Sequence, residues 1–200
     1  MKTTTVVKNP QIISRAFSSF GPATILFSLV LLRSTQEAPA QNIYTMDVSS
    51  TVPWTDTGIN IASGSQLDIT ASGLVAYALN IAMVNANGGD WTGAQFFADS
   101  VFPNTTTHSL IGKIGGTTDV GTGAPVPEGT PGNGPGFVGT SYSEVIPISG
   151  ELFLGFNDEV GSFQDNSGSF LVTISVIPEP STLALAGLGG LSFLLFHRRK

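Results

Sequence analysis

Leu152 to Ile174 reads LFLGFNDEVGSFQDNSGSFLVTI. Two strand-like runs, Glu151–Phe156 and Gly168–Val176, flank a segment crowded with Asp, Asn, Ser and Gly. Short apolar runs bounded by such residues read as strands joined by a turn. Inside that turn, Asp158, Ser162, Asp165 and Asn166 place four oxygen-bearing side chains within nine positions. Hard cations such as calcium take about six to eight oxygens from carboxylates, amides, carbonyls and water. Gly161 lets the backbone fold back around such an ion. The spacing is not that of an EF-hand, since no acid recurs at alternate positions and no Glu closes the loop. Nitrogen and sulfur ligands are absent from the segment, which argues against zinc or copper. A plain Asp/Asn/Gly turn without metal accounts for the same composition.

Outward from this pair, the same grammar repeats. Gly58–Ala62 reads as extended, and Ser63-Gly64-Ser65 as a turn. Leu67–Ala71 alternates apolar and polar residues, and Leu74–Ala78 is extended again. Leu110–Ile114 precedes Gly115-Gly116, and Glu144–Ile148 precedes Ser149-Gly150. No long helical periodicity with caps interrupts the series, so the expected fold is an all-β antiparallel jelly-roll-like sandwich. Thr117–Thr140, TTDVGTGAPVPEGTPGNGPGFVGT, reads as a surface loop, because its Gly/Pro/Thr composition offers little for a core. It opens no helix and carries no Lys, so it is not a phosphate cradle.

Composition sets the limits on chemistry. The 200 residues contain no cysteine, which excludes disulfides, thiolate metal sites and a Cys nucleophile. Between positions 41 and 176 there are twelve Asp/Glu and one cation, Lys113, a balance of about −11. So acidic a body repels nucleic acid and anionic lipid. His108 is the only histidine of that body and reads as an exposed loop residue in the Thr-rich stretch NTTTHS. No nucleophile elbow and no organised acid/base pair accompany it, so no enzyme is expected.

The two ends read as addresses. Lys2, Lys8 and Arg15 precede an apolar stretch from Ala23 to Leu32, and Ala38-Pro39-Ala40 offers a cleavage site before Gln41. Residues 1–40 are therefore expected to be a secretory signal peptide. At the other end, Pro178-Glu179-Pro180 leads into sixteen uncharged residues, Ser181–Phe196, and then His197-Arg198-Arg199-Lys200. As a helix the apolar stretch rises ~24 Å, slightly less than a hydrocarbon core, and the basic cluster would stay cytoplasmic. VIPEPSTLALAGLGGLSFLLFHRRK, Val176–Lys200, resembles the PEP-CTERM sorting signal of Gram-negative bacteria. That resemblance implies recognition by an exosortase through Pro178, Glu179, Pro180, Arg198 and Arg199, and removal of a segment 177–200. The membrane is then met only transiently, through the C-terminal helix, before release to the surface or an extracellular polysaccharide matrix.

The body, residues 41–176, has a resemblance of its own. LFLGFNDEVGSFQDNSGSFLVTI is similar to the calcium-binding end of the small galactose-binding lectins of the PA-I type. WTDTGINIASGSQLDITASGLVAY, Trp54–Tyr77, resembles their opening strands, and SLIGKIGG, Ser109–Gly116, their central strand. The resemblance implies a calcium site with side-chain oxygens from Asp158, Asp165 and Asn166 and backbone carbonyls from Tyr77 and Ser162. Two adjacent sugar hydroxyls would complete the shell, so the expected ligand is galactose-like or another vicinal-diol sugar. Asp165 stands where the lectins have Asn and adds a negative charge. The second sugar-facing loop, ALNIAMVNANGGDWTGAQFFADSVFPNTTTH, lacks the lectins' His and Gln contacts at matching spacing. Asp90 of Gly89-Asp90, Trp91 and Gln95 are the candidate replacements beside Tyr77, by aromatic packing and amide hydrogen bonds. Trp91, Phe96 and Phe97 also read as loop-anchoring aromatics. The overall expectation is a secreted, calcium-dependent carbohydrate-binding module without covalent chemistry. The alternative is a structural component of the matrix that recognises no sugar.

Overall fold

The computed structural model describes residues 41–79, 81, 83–90 and 95–179. The expected signal peptide, Trp91 and the tail from Pro180 through Arg198 and Arg199 lie outside those residues. Among the described residues, no helix is long and apolar enough to cross a membrane.

Among the described residues, eight strands form two antiparallel sheets: β1 Asn42–Ser49, β2 Trp54–Ile61, β3 Gln66–Ser72, β4 Leu110–Ile114, β5 Ala124–Pro125, β6 Ser141–Val145, β7 Gly150–Phe156 and β8 Ser169–Ile177. One sheet runs in the order β1-β8-β3-β6 and the other β2-β7-β4-β5. The fold is an all-β sandwich, as the sequence predicts.

Alternation explains the first sheet. In β8, Phe170, Val172, Ile174 and Val176 are buried while Leu171 is exposed. In β3, Leu67 and Ile69 face the same way, and Ile69 pairs with Ile174 across the strands. The other face of this sheet carries Thr45, Thr173 and Thr70 in one cross-strand row and meets solvent. One face buried and one solvated is the usual state of an antiparallel sheet.

The second sheet breaks that rule. All five residues of β4 are buried, as are Leu152–Phe156 of β7. Its outer face is therefore covered. Trp54, Phe153 and the Lys113 stem share that face, and Phe102 packs edge-on against Trp54 with centroids 5.4 Å apart.

The stretch 117–140 corrects the sequence reading. Most of it lies at the surface as expected, but it also supplies Val126, Phe137 and Val138 to the buried interior. β5 pairs with β4, and beyond it the Val126 N–H donates to the Gly112 carbonyl (3.0 Å) while Val138 N–H reaches Leu110 O (3.0 Å). Val126 and Val138 lie against Gly112, where a side chain would meet them. Further adjustments are smaller. β6 sits at Ser141–Val145 rather than Glu144–Ile148, and β1 is an additional edge strand. Leu74–Ala78 contributes only single bridges, Val75 to Val84 and Ala76 to Ser167.

Candidate functional site

The site grows from the end of β7. Phe156 is still strand and core; Asn157 and Asp158 follow it and are buried too. Burying an amide is costly unless it is bonded, and Asn157 is bonded fully. Its Oδ1 accepts the Phe102 N–H (2.8 Å), and its Nδ2 donates to the carbonyls of Thr105 and Thr106 (3.0 Å each). The Asn157 N–H donates to Ser109 O (2.9 Å), and Asn157 O accepts the His108 N–H (2.7 Å). One residue thereby ties the whole 102–109 segment to the strand end.

That tie brings His108 against Asp158. The histidine is not an exposed loop residue: it is 4% exposed, like Asp158 at 4%. Its Nε2 lies 3.4 Å from Asp158 Oδ1, and its Nδ1 lies 3.0 Å from the Gly89 carbonyl. The ring stacks on Tyr77, with centroids 3.7 Å apart and planes at 11°, and Phe97 meets it edge-on at 5.8 Å. His108 has φ +56°, in the left-handed region, where His is more common than most side chains. Gly88 approaches so closely that a Cβ there would strike the carbonyl of Thr107 and the amide of Ser109.

On the far side of Asp158 stands the predicted loop. Asp158 Oδ1 accepts the Glu159 N–H (2.7 Å), and Oδ2 accepts from Asn166 Nδ2 (2.7 Å). Asn166 Nδ2 also donates to Ser50 O (2.9 Å), which anchors the amide to the β1–β2 connection. Burial pushes the Asp158 carboxyl up. The hydrogen bonds from His108, Asn166 and the Glu159 N–H, with the His108 charge, outweigh it and hold the group below its ordinary range. Ser162 precedes a single 3-10 turn, Phe163–Asp165, and its N–H donates to Glu159 O (3.0 Å). Ala76 and Ser167 exchange both backbone hydrogen bonds at 2.9 Å, so Tyr77 and Asn166 are neighbours across that bridge.

Two oxygens in this loop are buried and have no protein partner: Asp165 Oδ1 and Asn166 Oδ1. A buried oxygen without a donor is destabilising, and a bound cation or water removes the deficit. The donor set of Asp158, Asp165 and Asn166 is all oxygen and fits a hard cation. Among the described residues no three His, Asp or Glu side chains gather as a cation cage, so an ion here also draws on amide and carbonyl oxygens.

The second-loop candidates that the structure describes meet at Thr107, whose N–H donates to Gln95 O (2.8 Å) and whose carbonyl accepts the Gly89 N–H (2.9 Å). Asp90 is half-buried. Gln95 is exposed, and its Nε2 donates to Gly132 O (2.8 Å). Phe97 anchors against His108, whereas Phe96 is exposed. Sequence reasoning missed His108 and Asn157. His108 lies fifty residues before Asp158, and only the strand order of the second sheet joins them.

No curated protein matches the chain. Among solved structures, the EclA N-terminal domain, a PllA-like lectin, is similar at 22% identity and a TM-score of 0.47, over 66% of this chain and 95% of that one. Residues 176–200 match the model of the PEP-CTERM protein-sorting motif. The motif begins inside β8, where Val176 is buried and pairs with Leu67, and Pro178 and Glu179 follow the strand directly. The C-terminal segment thus marks this chain for export and sorting to the surface in Gram-negative bacteria.

Proposed function

We propose that the sandwich is a calcium-dependent carbohydrate-binding module, delivered to the cell surface or extracellular matrix by its C-terminal signal. One observation carries the reading. The loop of Asp158, Ser162, Asp165 and Asn166 is held as a unit, yet leaves Asp165 Oδ1 and Asn166 Oδ1 without partners. Asp158, Asp165 and Asn166 would hold the ion by side-chain oxygens, with the carbonyls of Tyr77 and Ser162. A calcium ion there supplies coordination positions that two adjacent sugar hydroxyls can fill. The rest is positioning by the chain. Asn166 Nδ2 fixes the Asp158 carboxylate, Asn157 fixes the segment bearing His108, and the Tyr77–His108 stack forms a rigid wall. Asp90, Trp91 and Gln95 are the proposed contacts that set sugar preference. No bond is made or broken, so the module is a binder and not an enzyme. Export would be completed by an exosortase acting at Pro178-Glu179-Pro180, after transient anchoring by the apolar tail and its Arg198-Arg199 cluster.

The test is a glycan array with the full chain, run with calcium and again with EDTA. The expected result is calcium-dependent binding to one class of vicinal-diol sugar, abolished by Asp158→Ala and by Asp165→Ala. Silence in both conditions with a folded sample sinks this reading and leaves a structural matrix component.

A further inference from the structure

An open sheet edge presents a row of unpaired backbone donors and acceptors, and natural proteins blunt such edges. Among the described residues, three of the four sheet edges are blunted. β2 is interrupted by a bulge between Asp56 and Ile59, β5 is two residues long and contains Pro125, and β6 has five residues with Pro147 soon after it. β1 is different. Its eight residues pair with β8 in unbroken register and include no Pro, Gly, Lys or Arg. Among the described residues no strand lies along its outer side. Opposite residues of an antiparallel pair alternate between hydrogen-bonded and non-bonded. Ser50 N–H donates to Gly168 O (3.2 Å), one step beyond the Ser49–Ser169 pair, so the even-numbered residues of β1 bond β8. Ile43, Thr45 and Asp47 therefore turn their N–H and carbonyl groups outward. Side chains alternate too. Tyr44 and Met46 stand opposite the buried Ile174 and Val172 and share their face. Yet Tyr44 is 42% exposed and Met46 is half-buried, so the second sheet does not cover this end of β1.

We infer that β1 is an interface between two copies of this chain, which pair antiparallel about a two-fold axis at Thr45 and join their β1-β8-β3-β6 sheets into one. Self-complementarity selects both the partner and the register, because a two-fold interface sets the same patch on both copies. With Thr45 opposite Thr45 of a second copy, Ile43 faces Asp47 and Asp47 faces Ile43, and each pair exchanges two backbone hydrogen bonds. On the inward face, Tyr44 of one copy meets Met46 of the other. The row from Val172 through Met46 then continues into Tyr44 and Ile174 of the second copy, with a sulfur–aromatic contact at the seam. Other axes fit less well. An axis at Asp47 sets two carboxylates opposite each other, which is destabilising. An axis at Ile43 carries Asp47 past the end of the facing strand. One strand pair buries little surface, less than about 1,200 Å², which is the range of weak complexes. Both bodies are acidic, so salt strengthens the pairing by screening their repulsion. The inference depends on neither calcium nor sugar recognition.

The experiment uses the full chain in mild detergent, which suppresses association through apolar segments. Sedimentation velocity over a concentration series is expected to show a monomer–dimer equilibrium that tightens as salt is raised. Thr45→Pro removes an N–H that points away from β8, and an edge strand tolerates Pro at such a position. Its dimer is expected to weaken about tenfold or more, with circular dichroism unchanged. Should Thr45→Pro lose its fold, cysteine variants decide. The chain has no cysteine, so an introduced one reports a single contact. Opposite residues of a bonded pair have Cα atoms about 5.5 Å apart, within disulfide reach. Under mild oxidation Thr45→Cys should form a covalent dimer by itself. Ile43→Cys and Asp47→Cys should each stay monomeric alone and cross-link when mixed. A parent that is monomeric at every concentration and salt overturns the assignment. So does a dimer that Thr45→Pro leaves at parental strength, since it is held elsewhere. No cross-link in Thr45→Cys, or Ile43→Cys joining itself as fast as it joins Asp47→Cys, overturns it as well.

Discussion

Two loops of this domain gather oxygen atoms around a buried point, and they differ in what meets those oxygens. The first wraps around Lys113. Its Nζ donates to Thr117 O (2.7 Å), Asp119 O (3.0 Å) and Thr122 Oγ1 (3.3 Å), over the faces of Trp54 at 4.4 Å and Phe153 at 5.3 Å. The ring faces add cation–π attraction to those hydrogen bonds. The second is the Asp158–Asn166 loop, whose Asp165 and Asn166 oxygens lack a donor. Lys113 is the body's one cation, and it is 1% exposed. Burial lowers its pKa and the Asp119 charge opposes that fall. A covalently attached cation makes a loop permanent. The second loop leaves two oxygens open, and on the proposed reading a bound ion would meet them.

The comparison breaks most severely at Lys113. Removing Lys113 strands the neutral carbonyls it bonds, and an unsatisfied buried acceptor costs about 1–3 kcal/mol. Lys113→Met is expected to lose that much in urea denaturation, equally with calcium and with EDTA. A loss that calcium restores would show that the first loop is ion-dependent as well.

At the second loop the sign changes. Asp165→Ala removes an orphaned oxygen, so in EDTA it should leave stability unchanged or slightly raised. In the parent, calcium at a hundred times its Kd should add about 2.7 kcal/mol, and Asp165→Ala should abolish that increment. Equal thermal shifts in parent and variant would place the ion elsewhere.

Legibility followed the same division. β4 at Leu110–Ile114, β3 around Leu67–Ala71 and β7 around Glu151–Phe156 are dense local patterns, and the sequence shows them directly. The oxygen-rich loop was visible for the same reason. β1 was not, because it is an edge strand and only Val48 of its eight residues is buried. β6 was misplaced because its Ser141 and Ser143 carry no apolar signal. Val126, Phe137 and Val138 are isolated among Gly and Pro, so no local period reveals that they are core. His108 needed the strand order itself, since a loop histidine becomes a wall only beside Asp158. Val138→Ala checks the point for the 117–140 stretch. It is expected to cost about 2 kcal/mol, as a core truncation does, where a true surface loop would lose almost nothing.

The smallest effect links a third charged loop to the site. Glu128 Oε1 accepts the N–H groups of Gly132 (2.7 Å) and Gly134 (2.9 Å). The Gly134 N–H holds its carboxyl below the ordinary range; burial opposes this, and the Gly132 and Asn133 amides reinforce it. A depressed carboxyl contributes stability above its unfolded value, and that contribution fades as pH falls through the folded one. The turn so fixed carries Asn133, whose O accepts the Thr106 N–H (2.8 Å) and whose Oδ1 accepts the Thr106 hydroxyl (2.9 Å). Thr106 is in turn bonded by Asn157 (3.0 Å), beside Asp158. Acid should therefore loosen the 102–109 segment from its outer side before the core is affected. Amide hydrogen exchange at Thr106 is expected to quicken as pH drops below the carboxylate range, after correction for intrinsic exchange. In Glu128→Gln that exchange should already be faster at neutral pH and respond less to acid. An identical pH response in both proteins would mean that the Glu128 turn and the site loop move independently.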